Sequence, residues 1–100
     1  MDTHPMKLVT IVCEAYALAS VTKLLREIGA LGWTHFAVEG AGEGGERAGE
    51  MKEFANVQIE VVLQPAAAQA LLARLERELF PRYGMIAFES DVRVMRSAKF

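Results

Sequence analysis

Hydrophobic and polar positions switch between strand and helix periods along the chain, and each periodic stretch marks an element. From Lys7 to Cys13, the residues Leu8, Val9, Thr10, Ile11 and Val12 form a β-rich run that closes at Glu14. From Ala17 the spacing becomes helical. Leu18, Val21, Leu24, Leu25 and Ile28 share one face, Lys23, Arg26 and Glu27 lie opposite, and Gly29 stops the helix. Trp33 to Val38 reads as a second strand. A third follows where Val57, Ile59, Val61 and Leu63 alternate with Asn56, Gln58 and Glu60. Pro65 suits a first helical turn, and Ala68, Leu71, Leu72, Leu75 and Leu79 make a second apolar stripe opposite Arg74, Glu76, Arg77 and Glu78. Pro81 and Gly84 end that helix. In the last strand, Ile86, Phe88, Val92 and Val94 share one parity and Glu89, Asp91 and Arg93 the other.

The order is β-α-β-β-α-β, which predicts an α+β, ferredoxin-like fold: a four-stranded antiparallel sheet with both helices on one face. One domain over residues 1–100 is expected, since 100 residues bury one core but not two. The other sheet face has no covering layer within one chain. Its expected occupants, Leu8, Val12, Val62, Ala87 and Met95, would leave an apolar patch in water, so self-association is predicted.

Between the second and third strands lies a Gly-, Glu- and Ala-rich stretch, from Gly40 to Asn56. About 15 residues without a structural pattern are uncommon in a small domain, and such a loop points to binding. Gly40 and Gly42 flank Ala41 where the strand exits, and missing side chains there let backbone N–H groups approach an anion such as a phosphate. Arg93 and Arg96 near the end of the chain carry guanidinium forks suited to phosphate or carboxylate. If the loop of one copy meets the last strand of another, the two features form one site.

Composition narrows the function. A formal net charge of −2 offers no concentrated Lys and Arg, which argues against nucleic acid as a partner and against membrane-surface binding. Cys13 is the one cysteine, so an internal disulfide has no partner, and within an apolar run it reads as a small buried hydrophobe. Met1 to Met6 has no long apolar core and no segment is long and apolar enough to span a bilayer, so a cytoplasmic protein without membrane insertion is expected. His4, expected in a frayed terminus, and His35, in a strand, have no Ser, Cys or carboxylate at a diagnostic spacing, so neither an enzyme nor a metal site is expected. The spaced carboxylates Glu39, Glu43, Glu46, Glu50 and Glu53 read as a solvated charge run.

The passage Gly32-Trp33-Thr34-His35-Phe36-Ala37-Val38-Glu39-Gly40-Ala41-Gly42 resembles the Gly-x-Thr-Val-x-x-Val-x-Gly-x-Gly passage by which PII-type signalling proteins enter their long T-loop. The resemblance in element order runs from about Lys7 to Arg96. It implies a homotrimer of ferredoxin-like subunits, with adenine nucleotides in the clefts between them. It further implies that Thr34, Gly40 and Gly42, with the backbone around Ala41 and Glu43, line one side of the cleft. By position, Tyr83-Gly84-Met85 corresponds to the B-loop side, with Arg93 and Arg96 near the phosphates.

The chain departs from the nitrogen-sensing members of that family. Their glycine-rich B-loop with its phosphate-binding Lys is shortened here to Arg82-Tyr83-Gly84-Met85. The T-loop has no Tyr to be modified, and Glu43-Gly44 stand where an Arg-Gln pair follows the second glycine. With fewer cations for a γ-phosphate, ADP or AMP is the expected ligand ahead of ATP or cAMP. The short chain and Gly/Glu-rich loop look more like the PII-like branch associated with bicarbonate transporters and carboxysomes. That likeness implies bicarbonate as a further ligand and a membrane transporter of bicarbonate as a partner. The expected mechanism is a switch in which nucleotide at the base of the loop restricts Gly40 to Asn56. Two other readings share the architecture. A copper-tolerance-type trimer would need clustered metal ligands, which one Cys and two separated His supply poorly. A small regulatory ligand-binding domain would usually be tethered to a catalytic one.

Overall fold

A computed structural model describes residues 1–42, 45–47 and 56–100. Strand β1 (His4–Glu14) leads through a short helical turn, Ala15–Ala17, into helix α1 (Leu18–Glu27). Strand β2 (Thr34–Val38) follows, then the short strands β3 (Gly40–Gly42) and β4 (Gly45–Arg47), strand β5 (Asn56–Leu63), helix α2 (Pro65–Arg74) and strand β6 (Ile86–Val94). The main sheet has the order β2-β5-β1-β6, antiparallel throughout. This is the ferredoxin-like arrangement that the periodicity predicts.

Local chemistry fixes the helix ends. Gly29 takes a φ of +84°, a conformation that costs a residue with a Cβ, and the Ala30 N–H reaches back to the Leu25 carbonyl at 2.9 Å. Pro65 occupies the first turn of α2, where its missing N–H has no helical partner to lose. The last turn of that helix widens to a π-helical turn over Leu75–Leu79, with the Phe80 N–H donating to the Leu75 carbonyl at 2.9 Å before Pro81 closes it.

The core lies between the helices and one sheet face. Val9, Ile11 and Cys13 stand directly opposite Val61, Ile59 and Val57 and pack against Val21, Leu25, Leu71 and Leu75. Each large apolar side chain buried here contributes about 1.5–3 kcal/mol. Arg74 ties the helices together, its guanidinium 2.8 Å from Glu27 of α1 and 2.7 Å from Glu78. Those bonds hold the Arg74 pKa above its ordinary value and, through Arg74 chiefly, the Glu78 pKa below its own.

Three expectations need correction. His4 is not frayed: it begins β1, opposite Val94. The loop is not structureless throughout, because Gly40–Gly42 pairs with Gly45–Arg47. The parity of β6 is also reversed. Ala87 sits opposite Ile11 and packs on the core, so it does not belong to the open face, and Met95 lies beyond the end of the strand. Ile86 and Phe88 take that face with Leu8, Val12 and Val62, and in a single chain they are 53% and 51% exposed. Glu89 and Asp91 consequently lie on the helix side, where both pair with Lys7 and the Asp91 hydrogen bond raises the Lys7 pKa. The open face is therefore more apolar than the strand pattern alone suggests.

Candidate binding site

Strand register brings the loop base and the α2–β6 connection to the same end of the sheet. Val38, the last residue of β2, lies opposite Asn56, and Asn56 lies opposite Glu14 at the end of β1. Beyond Glu14 the row continues to Gly84, whose backbone N–H donates to the Glu14 carboxylate at 3.0 Å. The row crosses the full width of the sheet, about 14 Å at three strand spacings.

Around Gly84 the side chains form a connected group. The Tyr16 hydroxyl donates to the same Glu14 oxygen at 3.0 Å, and this bond above all raises the Tyr16 pKa. The Tyr16 and Tyr83 rings stand 5.9 Å apart with a tilt of 51°. The Tyr83 hydroxyl shares a hydrogen bond with Ser20 at 3.1 Å and accepts another from Arg82 at 3.1 Å. The Arg82 guanidinium also lies 5.1 Å from the centre of the Tyr83 ring. An aromatic surface, a cation and a carboxylate thus meet beside one backbone turn.

The residues singled out by sequence fall into two groups. Gly40, Ala41 and Gly42 form β3, opposite Arg47, Glu46 and Gly45. A Cβ on Gly40 would meet no other atom within 4 Å, so packing within the chain does not require a glycine there. Thr34 is exposed at the other end of β2, opposite Glu60. Glu43 lies outside the described residues. Tyr83 and Gly84 stand at the loop-base end of the sheet. Met85 follows them with its side chain 7% exposed in the core, so it offers a ligand only backbone.

Arg93 and Arg96 form the second group. Arg93 lies opposite Pro5, nine residues along β1 from Glu14, which is about 30 Å at the rise of a strand. Arg96, exposed and at a φ of 55°, turns the chain just beyond β6. Within one chain these guanidinium groups do not meet the loop base. Sequence reasoning does not single out Glu14, which the fold places against the Gly84 turn. Its partner Gly84 is 70 positions away, and nothing local marks a terminal strand glutamate as part of a site.

Among the described residues no group of three His, Cys, Asp or Glu side chains could hold a metal ion. No helix among them is long and apolar enough to cross a membrane. A model of the family described as nitrogen regulatory protein P-II matches residues 6–99. The chain is similar to a PII-like signaling protein from Thermus thermophilus, at 35% identity and a TM-score of 0.86, over 100% of this chain and 99% of that one. It is also similar to CPII from Thiomonas intermedia bound to ADP and bicarbonate, at 25% identity and a TM-score of 0.89, over 99% and 97% of the two chains. A structure of CPII with ADP, AMP and bicarbonate gives 24% identity and a TM-score of 0.91, over 99% and 96%. No curated protein matches by sequence.

Proposed function

The chain belongs to the nitrogen regulatory protein P-II family, and from that premise we propose that it is a homotrimeric, cytoplasmic signalling protein that binds ADP or AMP between its subunits. The observation that carries this reading is the division of the site. Gly40 to Gly42 and Tyr83-Gly84 lie at one end of the sheet, Arg93 and Arg96 lie about 30 Å away at the other, and only a neighbouring copy can bring the two together. The open sheet face supplies the contact. Phe36, Ile86 and Phe88, each between 42% and 53% exposed, form an apolar surface that a second and third copy would cover.

In this arrangement, Thr34 and the Gly40-Ala41-Gly42 backbone, with Glu43 following, line one wall. Tyr83, Gly84 and the Met85 backbone line the base, and Arg93 and Arg96 of a neighbouring copy face the phosphates. Two guanidinium groups suit one or two phosphates better than three. Nucleotide at the loop base changes the conformation of the T-loop, and that change controls a partner. The ADP and bicarbonate in the Thiomonas CPII structure support placing this protein in inorganic-carbon metabolism, with bicarbonate as a second ligand and a bicarbonate transporter as the partner.

Calorimetric titration with AMP, ADP, ATP and cAMP, each with and without bicarbonate, tests the reading. Saturable heat with ADP and AMP is expected. No heat and no thermal shift with any adenylate would remove it.

A further inference from the structure

Resting on the proposed adenylate site, we infer that Glu14 sets the ligand's phosphate number, as an anionic side chain built into the base of the cleft. Three observations converge on it. Glu14 stands in the middle of the row that joins the loop base, through Val38 and Asn56, to Gly84. Its Oε2 accepts the Gly84 N–H at 3.0 Å, so a backbone donor of the short α2–β6 turn is engaged by a side chain before any ligand arrives. The Tyr16 hydroxyl donates to the same oxygen at 3.0 Å and holds the carboxylate in this position.

A phosphate approaching that turn meets two obstacles. It must displace Glu14 to receive the Gly84 N–H, and it must do so against a like charge. Each added phosphate brings more negative charge toward the same carboxylate, so the penalty rises from AMP to ADP to ATP. The nucleoside carries no charge and does not feel it. The nearby Arg82 guanidinium is engaged elsewhere, over the Tyr83 ring and on the Tyr83 hydroxyl. Gly84 permits the contact without depending on it. A Cβ there would sit 3.7 Å from Glu14 Oε1, an ordinary contact, so the carboxylate and not the glycine is the distinctive feature of the turn.

The test is calorimetric titration of the full chain and of Glu14→Gln with adenosine, AMP, ADP and ATP. Gln keeps the shape and an acceptor for the Gly84 N–H but removes the charge. The expected result is unchanged adenosine affinity and a gain on the order of threefold to tenfold for each added phosphate, largest at low salt. Thermal melts confirm folding of the variant. Tyr16→Phe is a second variant that removes only the bond holding the carboxylate, and it is expected to shift the ADP-to-AMP ratio in the same direction by less. If the wild-type chain binds adenylates and both variants leave the ratios among AMP, ADP and ATP unchanged, this inference is overturned while the adenylate site stands. If the wild-type chain binds no adenylate, both fall together.

Discussion

Replacing Phe88 with Asp tests whether the open sheet face is where copies of this chain meet. Phe88 lies on β6 opposite Thr10 and is 51% exposed in the single chain. A phenylalanine side chain presents roughly 200 Å² when fully accessible, so about 100 Å² remains for a neighbour to cover. At about 25 cal/mol per Å² that is roughly 2.5 kcal/mol for each subunit and about 7.5 kcal/mol for a trimer. With about 1.4 kcal/mol per factor of ten, Phe88→Asp should weaken assembly by about five decades, before the added cost of enclosing three carboxylates. The side chain contributes little to the fold of one chain, so far-ultraviolet circular dichroism should remain that of a folded protein. Analytical ultracentrifugation at micromolar concentration should show a trimer for the wild type and a monomer for the variant. A variant that sediments as a trimer would refute the assignment of this face.

Two further outcomes follow from named contacts. Arg93→Ala should weaken ADP more than adenosine in calorimetry, and equal losses would show that Arg93 does not contact phosphate. Arg74→Met should lower the denaturant midpoint slightly at neutral pH, because Arg74 joins Glu27 and Glu78. Glu78 is held below the usual glutamate value of 4.5, chiefly by its Arg74 hydrogen bond. Its contribution is therefore complete above that value and is lost as the pH falls through the lower folded value. The gap between wild type and variant should close with acidification, and a gap independent of pH would show that the pair does not act through charge.

The fold was legible because each long element carries its own period. Leu18 to Ile28 and Ala68 to Leu79 repeat at helical spacing, and Val57 to Leu63 alternate, as amphipathic elements on a shared core must. What the sequence concealed was which face of β6 turns inward. Ile86, Phe88, Val92 and Val94 form an apolar parity, and apolar usually means buried. Inwardness, however, is set by register with β1, which places Ala87 against the core opposite Ile11. The start of β1 was concealed for a different reason: His4 and Pro5 have no strand pattern and are held by pairing with Val94 and Arg93.

The candidate site divides in the same way. The glycines of β3 and the turn at Tyr83-Gly84 were visible because glycine at a strand exit and a short helix-to-strand turn are local features. Glu14 was not, because its place beside that turn comes from a bond to Gly84 that only the folded chain creates. Arg93 and Arg96 were visible as residue types, but their distance from the loop base emerges only from the strand register.

A crystal structure of the full chain with ADP is the decisive measurement. Phosphates are expected between Gly40-Ala41-Gly42 of one subunit and Arg93 and Arg96 of its neighbour, with the apolar sheet faces turned toward one another. Nucleotide bound wholly within one subunit, or both guanidinium groups turned to solvent beside an occupied cleft, would contradict that arrangement.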